Sequence, residues 1–274
     1  MRFGCCANML VPPTQGSGIT VAPAVAAAGF AYIEMPVRRL AALSPDEFTA
    51  VRNRLAEIGL PCETGNDFLP ATVPVVGPRA SREQQLTYVS GACARASALG
   101  ITTVVFGSAD ARRRPDGVTP AQAVDQIREF LEAIVPILRQ HGITVAIEHL
   151  NQGECNTLTS LAETADLVRA INLPEIRLLA DYYHLMVEHE SLNQVAAHAD
   201  LLAHVHVSHP HQRGYPSAHD PDLRRFLGIL SRKGYDRRIS IEGYTNDLAT
   251  DGPAALALLD AGLNPTREFL RYQA

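Results

Sequence analysis

LAHVHVS (202–208), DPDLRRFLGILSRKG (220–234) and RRISIEG (237–243) follow one another in the last third of the chain. The first and third segments are short and apolar with β-branched residues, which is typical of buried strands. The second segment has the apolar spacing of an amphipathic helix. A strand, a helix and a second strand in this order predict two parallel strands joined by a helical crossover. This unit decides the fold, because the rest of the chain repeats it.

The same alternation starts at residue 2 and continues to the end of the chain. The predicted strands are 2–7, 30–36, 60–65, 101–108, 143–150, 176–181, 202–208 and 237–243. The predicted helices are 18–28, 44–59, 81–100, 119–141, 157–171, 190–200, 220–234 and 252–272. Eight such units over about 250 residues indicate an α/β fold, a (β/α)8 TIM barrel that forms a single domain over 1–274. A doubly wound open sheet is the alternative, but no GxGxxG follows the first strand.

Composition limits the possible partners. The 274 residues carry a formal net charge of −5, with a sequence pI near 6.0, which argues against a nucleic-acid partner. No window reaches the roughly 18 apolar residues of a membrane span, and MRFGCCANML (1–10) does not resemble a signal peptide. We therefore expect a cytoplasmic protein with neither a nucleic-acid nor a membrane partner.

Four late strands deliver side chains that can bind a metal ion. Asp181 ends the sixth predicted strand, and Glu148, His206 and Glu242 lie within two residues of the ends of the fifth, seventh and eighth. In such a barrel these strand ends form one rim, which carries the active site. Ionisable groups gathered there would be costly without a cation. Three carboxylates and one imidazole suit one divalent metal ion, Mn²⁺ first, with Mg²⁺, Co²⁺ or Zn²⁺ as alternatives.

Histidines are concentrated in HVHVSHPHQRGYPS (204–217). His204 and His206 are two residues apart, so both face the same side of a strand. We predict His206 as the metal ligand because it is nearer the strand end, and His204 as a buried, hydrogen-bonded partner one layer below. His209 and His211 fall in the loop beyond, where we expect them to be solvated.

Further polar residues near strand ends have open roles. The basic run Arg112–Arg114 follows the fourth strand, where it could bind a phosphate or carboxylate of a substrate, or form a solvated loop or a subunit contact. Glu34, Glu63 and Asn66 close earlier strands, and the sequence assigns them no role.

Four runs resemble a known family. IEHLNQGECN (147–156), DYYHL (181–185), HVHVSHPHQRGYP (204–216) and ISIEG (239–243) are similar to the fifth to eighth strands of xylose isomerase-like TIM barrels. This superfamily includes sugar isomerases and epimerases, among which the ketose 3-epimerases of the tagatose/psicose type are especially informative. The resemblance covers most of the chain and is clearest over 101–245.

The resemblance implies an enolising reaction on a sugar. Glu148 and Glu242 would exchange a proton on opposite faces of a small-molecule carbohydrate, next to a carbonyl that the metal polarises, through a metal-stabilised enediolate. Such relatives often form dimers or tetramers, so a homo-oligomer is implied. The implied metal ligands are Glu148, Asp181, His206 and Glu242, and the implied substrate-binding residues are Glu154, His184 and Arg213.

The predicted function is therefore a metal-dependent sugar isomerase or epimerase acting on a ketose or related keto-sugar. The alternative is a metal-dependent lyase, a dehydratase or β-eliminase, that uses the same site on a keto-sugar, keto-glycoside or keto-inositol. A nuclease resembling endonuclease IV would need additional histidines from early strands, and none precedes His141. A binding module without catalysis is the remaining alternative, against which the complete ligand set speaks.

Overall fold

A computed structural model describes residues 1–12, 14 and 16–263 of the chain. Its strands pair in parallel in the order of the sequence, and the last pairs with the first to close a barrel. The predicted eight-stranded barrel is therefore confirmed. The strands are β1 (Arg2–Cys6), β2 (Tyr32–Pro36), β3 (Cys62–Asn66), β4 (Thr103–Phe106), β5 (Thr144–Glu148), β6 (Ile176–Asp181), β7 (Leu202–Val207) and β8 (Arg238–Ile241).

The helices of the described residues surround this barrel, and none of them combines the length and apolarity needed to cross a bilayer. They are α1 (Ala22–Ala27), α2 (Val37–Ala42), α3 (Pro45–Ile58), α4 (Arg82–Leu99), α5 (Ala109–Arg112), α6 (Pro120–His141), α7 (Leu161–Ile171), α8 (Tyr182–Val187), α9 (Asn193–His198), α10 (Pro221–Arg232) and α11 (Leu248–Leu263).

Local sequence signals account for the long helices. Ser44 and Glu47 form a capping box at the start of α3, with each side chain bonded to the backbone of the other residue at 3.3 and 2.7 Å. Thr119 and Gln122 repeat this arrangement at the start of α6. Gly142, with φ of 64°, ends α6 in the left-handed conformation that glycine adopts without strain.

The structure differs from the prediction in a few elements. α2, α5 and α8 follow β2, β4 and β6 directly and were not predicted, because four to six residues are too short to show helical periodicity. α11 begins at Leu248, four residues before the predicted start at 252. Residues 264–274 lie outside the described part, so the end of that helix at 272 and the single domain over 1–274 stay predictions.

Strand register determines which side chains meet inside the barrel. Asp181 of β6 pairs with His206 of β7, which in turn pairs with Ser240 of β8. On the other side of the barrel, Glu34 of β2 pairs with Cys6 of β1 and Thr64 of β3. Since the strands tilt and close on themselves, these rows face one another across the interior. The apolar core lies mainly between the strands and the surrounding helices.

Gly4 leaves room for a ring inside the barrel. A Cβ atom at this position would lie 2.1 Å from Cε2 of Tyr32, which is fully buried and bonded to Ser240 at 2.8 Å. We expect Gly4→Ala to lower the free energy of unfolding by about 1–3 kcal/mol through overpacking. Gly91→Ala is the matched control, because nothing lies within 4 Å of its Cβ position on an exposed face of α4.

The control substitution is expected to raise the free energy of unfolding by up to about 1 kcal/mol, since alanine is the better helix former. Urea denaturation monitored by circular dichroism measures both variants. Equal stability of the two variants would show that the ring of Tyr32 can move aside.

Candidate active site

Four buried side chains converge where β5, β6, β7 and β8 end. One potential ligand atom from each of Glu148, Asp181, His206 and Glu242 lies within 4.8 Å of all the others. The Nδ1 atom of His206 is at the centre, 3.2 Å from Oε1 of Glu148, 3.3 Å from Oε2 of Glu242 and 4.0 Å from Oδ2 of Asp181. The structure thus brings together all four residues that the sequence predicted as metal ligands.

The backbone around these residues positions their carboxylates. Asp181 caps the short helix α8, because its Oδ1 accepts a hydrogen bond of 2.7 Å from the backbone N–H of Tyr183. This bond leaves Oδ2 buried without a hydrogen-bond partner. Directly after β4, Gly107 makes room for Glu148, since a Cβ atom there would lie 2.1 Å from Oε2 of Glu148.

A fourth acidic residue, Glu34, lies beneath this cluster and is fully buried. Its Oε1 lies 3.0 Å from Nε2 of His206, and its Oε2 lies 2.8 Å from Nε2 of His204. The hydroxyls of Thr64 and Ser240 also donate to Oε2, at 2.8 and 2.5 Å. The sequence assigned Glu34 no role, and its position before the proline that ends β2 was the only available signal. The expectation that His204 is a buried, hydrogen-bonded partner is confirmed.

Glu34 determines which nitrogen of His206 is available to a metal. Because Nε2 is held by Glu34, the other nitrogen, Nδ1, faces Glu148 and Glu242. Burial alone would lower the pKa of His206, but Glu34 and Glu242 outweigh it and raise this pKa, so without a cation Nδ1 carries a proton that a metal ion would replace. A carboxylate that holds the far nitrogen of a histidine ligand fixes the ring and makes it more basic. Glu34 and His206 therefore have the arrangement of a carboxylate–histidine pair beneath a metal site.

The carboxylates of the cluster differ in pKa because their electrostatic surroundings differ. Burial raises the pKa of Glu148 to about 8, and the charge of Glu242 adds to this. Burial also raises the pKa of Asp181. For Glu242 burial alone would raise the pKa, but Arg213 and His206 outweigh it and hold this pKa at about 2. Like charges that share a buried site therefore force a proton onto one of them when nothing else neutralises the cluster.

The residues of the cluster fit a divalent cation. An ion that binds each ligand at about 2.1 Å holds opposite ligands about 4 Å apart. The spacing of the ligand atoms in the cluster is close to this distance. A cation would give the unpartnered Oδ2 of Asp181 an interaction and would oppose the repulsion that raises the pKa of Glu148. Three carboxylates and one imidazole favour manganese, magnesium or cobalt over a thiol-binding metal.

Arg213 links the cluster to the predicted substrate side. Its guanidinium lies 2.5 Å from Oε2 of Glu242, 3.2 Å from Oε1 of Glu154 and 3.7 Å from Oδ2 of Asp181. It also stacks 4.8 Å from the ring centre of Tyr183. The backbone of Arg213 has a φ of 51°, a left-handed conformation that is uncommon for arginine and often occurs at functional sites.

The loop that carries Arg213 is attached to the loop after β8. The backbone N–H of Tyr244 donates to the carbonyl of Arg213 at 2.8 Å, and Gly214 forms a bridge with both His209 and Tyr244. A Cβ atom at Gly243 would lie 2.6 Å from the carbonyl oxygen of Gly214, so only glycine permits this approach. Arg213 and Glu242 are therefore held by one joined pair of loops.

His184 is fully buried with its ring edge facing the cluster. Its Nδ1 accepts a 3.2 Å hydrogen bond from the backbone N–H of Asn151, so the proton of the neutral ring is on Nε2. That Nε2 has no hydrogen-bond partner and lies 3.7 Å from Oδ2 of Asp181. Burial and the charge of Arg213 lower the pKa of His184, which keeps the ring neutral. The imidazole can therefore donate a hydrogen bond without carrying a charge.

A cavity of about 590 Å³ opens above the cluster, within the range of sites that hold small molecules. Glu148, Glu154, Arg213 and Glu242 line it, as do Arg38 and Asp67 on the opposite side. Asn66, to which the sequence assigned no role, reaches the site and donates to Glu242 at 3.1 Å. Glu63 does not, because it pairs with Arg2 and Arg238 at the opposite end of the barrel.

The basic run after β4 and the loop histidines do not line this cavity. Arg112 is fully buried, which excludes the expected solvated loop for this residue, and its guanidinium lies 5.6 Å from the ring centre of Phe106. The side chains of Arg113 and Arg114 donate to backbone carbonyls. His211 is exposed and His209 partly so, in agreement with their predicted solvation.

The protein is thus a (β/α)8 barrel with acidic and histidine residues at its rim. Comparison with known proteins identifies the family. The xylose isomerase-like TIM barrel family matches residues 22–262. The chain belongs to this family, as the resemblance of its strand ends predicted.

Two relatives have named activities. The ketose 3-epimerase of Arthrobacter globiformis is 24% identical over 253 residues, which cover 90% of this chain and 85% of the relative. The 3-dehydro-D-guloside 4-epimerase of Escherichia coli (strain K12) is 25% identical over 207 residues, which cover 70% of this chain and 76% of the relative.

Solved structures agree in fold. A structure of L-ribulose 3-epimerase superposes with a TM-score of 0.83 at 18% identity, covering 100% of this chain and 98% of that chain. A crystal structure of D-psicose 3-epimerase in the presence of D-fructose superposes with a TM-score of 0.80 at 19% identity, covering 99% of each chain. At these identities the superpositions support the barrel fold alone.

Glu34 is expected to orient His206 for metal binding. We predict that Glu34→Gln weakens manganese binding roughly 10–100-fold, the usual effect of losing the partner of a histidine ligand. Glu63→Gln is the matched control, because Glu63 also pairs with two cationic side chains but lies at the other end of the barrel. Titration of each folded, metal-free variant with Mn²⁺, followed by electron paramagnetic resonance, measures the affinity.

Circular dichroism confirms that each variant is folded before the titration. Equal manganese affinities of Glu34→Gln and the unmodified protein would show that the Glu34–His206 contact does not prepare the ligand.

Proposed function

We propose that the protein is a divalent-metal-dependent sugar epimerase or isomerase that removes a proton next to the carbonyl of a ketose or related keto-sugar. The observation that carries this proposal is the pair Glu148 and Glu242, which approach Nδ1 of His206 from different strands to 3.2 and 3.3 Å. The two named relatives, both sugar epimerases, support the same reaction class.

The two glutamates act as base and acid in this proposal. One removes the proton from the carbon next to the carbonyl, and the other returns a proton to the opposite face, which inverts that carbon. Return of the proton to the neighbouring carbon instead produces an isomer. Glu242 is held by its bonded neighbours Arg213 and Asn66, so little reorganisation of this group accompanies the transfer.

Glu148, Asp181, His206 and Glu242 would hold the metal, for which Mn²⁺ is the first choice. When bound, a divalent ion supplies Lewis-acid polarisation of the substrate carbonyl and lowers the cost of removing the neighbouring proton. The carboxylates of the site thus combine ligation with proton transfer.

His184, Arg213 and Glu154 would bind the sugar oxygens. The unpartnered Nε2–H of His184 can donate to a substrate oxygen near the cluster. Arg213 already bridges Glu242 and Glu154, so a sugar hydroxyl placed between them finds both a donor and an acceptor. These contacts would orient the carbon to be deprotonated against the glutamates. The cytoplasmic location and the homo-oligomeric state, a dimer or tetramer, stay predictions.

Proton exchange in D₂O tests the proposed reaction. The Mn²⁺-loaded protein is incubated with D-fructose, D-tagatose, L-ribulose and a methyl 3-keto-glucoside, the reaction is stopped with excess EDTA, and deuterium is read by NMR. We expect deuterium next to the carbonyl of at least one sugar. Glu148→Gln should slow this exchange roughly 10²–10⁴-fold through loss of the base, whereas the exposed Glu83→Gln should not change it.

The products separate the alternatives. An epimer or isomer supports the proposal, and an unsaturated or cleaved sugar assigns the site to the lyase reaction, which starts with the same proton removal. A folded, metal-loaded protein that exchanges no proton with any of these sugars would contradict the proposed function.

Removal of the metal gives an independent prediction. We expect metal analysis to find one divalent ion per chain, and EDTA followed by dialysis to abolish exchange, because the carbonyl then lacks its Lewis acid. Readdition of Mn²⁺ should restore the activity and raise the melting temperature, since the ion offsets the repulsion among buried carboxylates. Full activity after complete removal of the metal would show that the cluster does not need a cation.

A further inference from the structure

The cavity extends past the metal cluster to the ends of β2 and β3, and its lining changes in charge on the way. Near the cluster, the carboxylates of Glu148, Glu154 and Glu242 line it around Arg213. At the far side, the lining includes Arg38 and Arg39, which follow β2, and Asp67, which follows β3. The cavity therefore has an acidic end and a basic end.

The two arginines of the basic end differ in their partners. Nε of Arg38 lies 2.5 Å from Oδ2 of Asp67, and the backbone N–H of Arg38 donates to the carbonyl of Asp67 at 3.0 Å. Arg38 is thus held in place and its charge is balanced. Arg39 makes one hydrogen bond, of 3.2 Å, from Nη1 to the carbonyl of Gly16, and no carboxylate of the described residues lies within 4.0 Å of its guanidinium. Its guanidinium therefore forms no close ion pair within the described residues, although the charge of Asp67 acts on it from a greater distance.

The lining of the cavity is mixed, since it includes the apolar residues 9–12 as well as polar side chains. Amide side chains from Asn8, Asn66 and Asn246 line the cavity, together with the hydroxyl of Thr245. Nδ2 of Asn66 donates to Oδ1 of Asn8 at 2.8 Å and to Oε1 of Glu242 at 3.1 Å, which connects the basic end to the cluster. The polar groups of this lining can hydrogen-bond to a charged ligand group and to its hydration water.

We propose that the substrate is an anionic sugar, and that Arg39 binds its carboxylate or phosphate at the end remote from the carbonyl. This inference rests on the proposed function, because it takes the carbonyl to lie at the cluster. A negative group would be attracted by the guanidinium of Arg39, which forms no ion pair within the described residues, so charge favours one direction of the substrate in the cavity. The planar fork of an arginine matches either oxyanion.

The test compares sugars that differ only in this group. D-fructose, D-fructose 6-phosphate and D-fructuronate share the carbonyl, and they carry a hydroxyl, a phosphate or a carboxylate at the remote end. The specificity constant kcat/KM of each is measured by deuterium exchange with the Mn²⁺-loaded protein and its Arg39→Gln and Arg39→Lys variants. Arg128→Gln is the matched control, since Arg128 lies exposed on α6 in an ion pair with Asp125.

We expect the unmodified protein to prefer one anionic sugar to D-fructose, and Arg39→Gln to lower the ratio of their kcat/KM values at least roughly tenfold. Arg39→Lys should restore part of this ratio because it keeps the charge, and Arg128→Gln should leave the ratio unchanged. Whichever of the two anions is preferred identifies the remote group as phosphate or carboxylate. An equal ratio in the unmodified protein and Arg39→Gln would overturn the inference.

A binding measurement separates this inference from the proposed reaction. Calorimetry with the metal-loaded Glu148→Gln variant, with and without Arg39→Gln, reports binding of each sugar without turnover. Binding of an anionic sugar that is lost in the double variant supports the anion site even if no exchange is found, in which case only the proposed reaction fails. Exchange with D-fructose, together with anion binding that does not depend on Arg39, overturns the anion site alone.

Discussion

The hydrogen bond between Glu34 and His206 is the interaction on which the site depends. It is fully buried in the closed interior of the barrel, and it fixes the position of the imidazole. The carboxylates at the rim are arranged around the other nitrogen. Tyr32, Thr64 and Ser240 surround this pair with hydroxyls, so strands from both sides of the barrel support one ring. The scaffold thus prepares a ligand before any ion arrives.

The carboxylates at the rim lower the stability of the folded chain. Glu148, Asp181 and Glu242 are buried together, and one of them holds a proton at neutral pH when no cation offsets their repulsion. Arg213 relieves part of this repulsion through its contact with Glu242, and it does so from a strained backbone conformation. Such an arrangement lowers stability and is retained where function requires it. The same charges that destabilise the fold therefore constitute the chemistry of the site.

Sequence reasoning reached the cluster of carboxylates and histidine because periodicity locates strand ends and the barrel brings those ends together. Glu148 and Asp181 end strands that the pattern predicted to within two residues. Glu34 could not be assigned, since its role depends on strands that are distant in sequence but face each other across the barrel. Arg39 lies in a short helix without a periodic pattern, and Arg112 is buried against Phe106 although a run of three arginines reads as solvated. Contacts between residues that are distant in the chain leave no local pattern in the sequence.

The joining of the loops after β7 and β8 has a consequence for motion at the mouth of the barrel. Gly214 and Gly243 touch, and the backbone of Arg213 is bonded to Tyr244, so neither loop can swing without the other. Arg213 also binds Glu242 through its side chain, so an outward movement of this unit would disturb the cluster. A substrate must therefore enter past a fixed wall on this side. A movement that shelters the cavity from water is therefore expected from segments that follow other strands of the barrel.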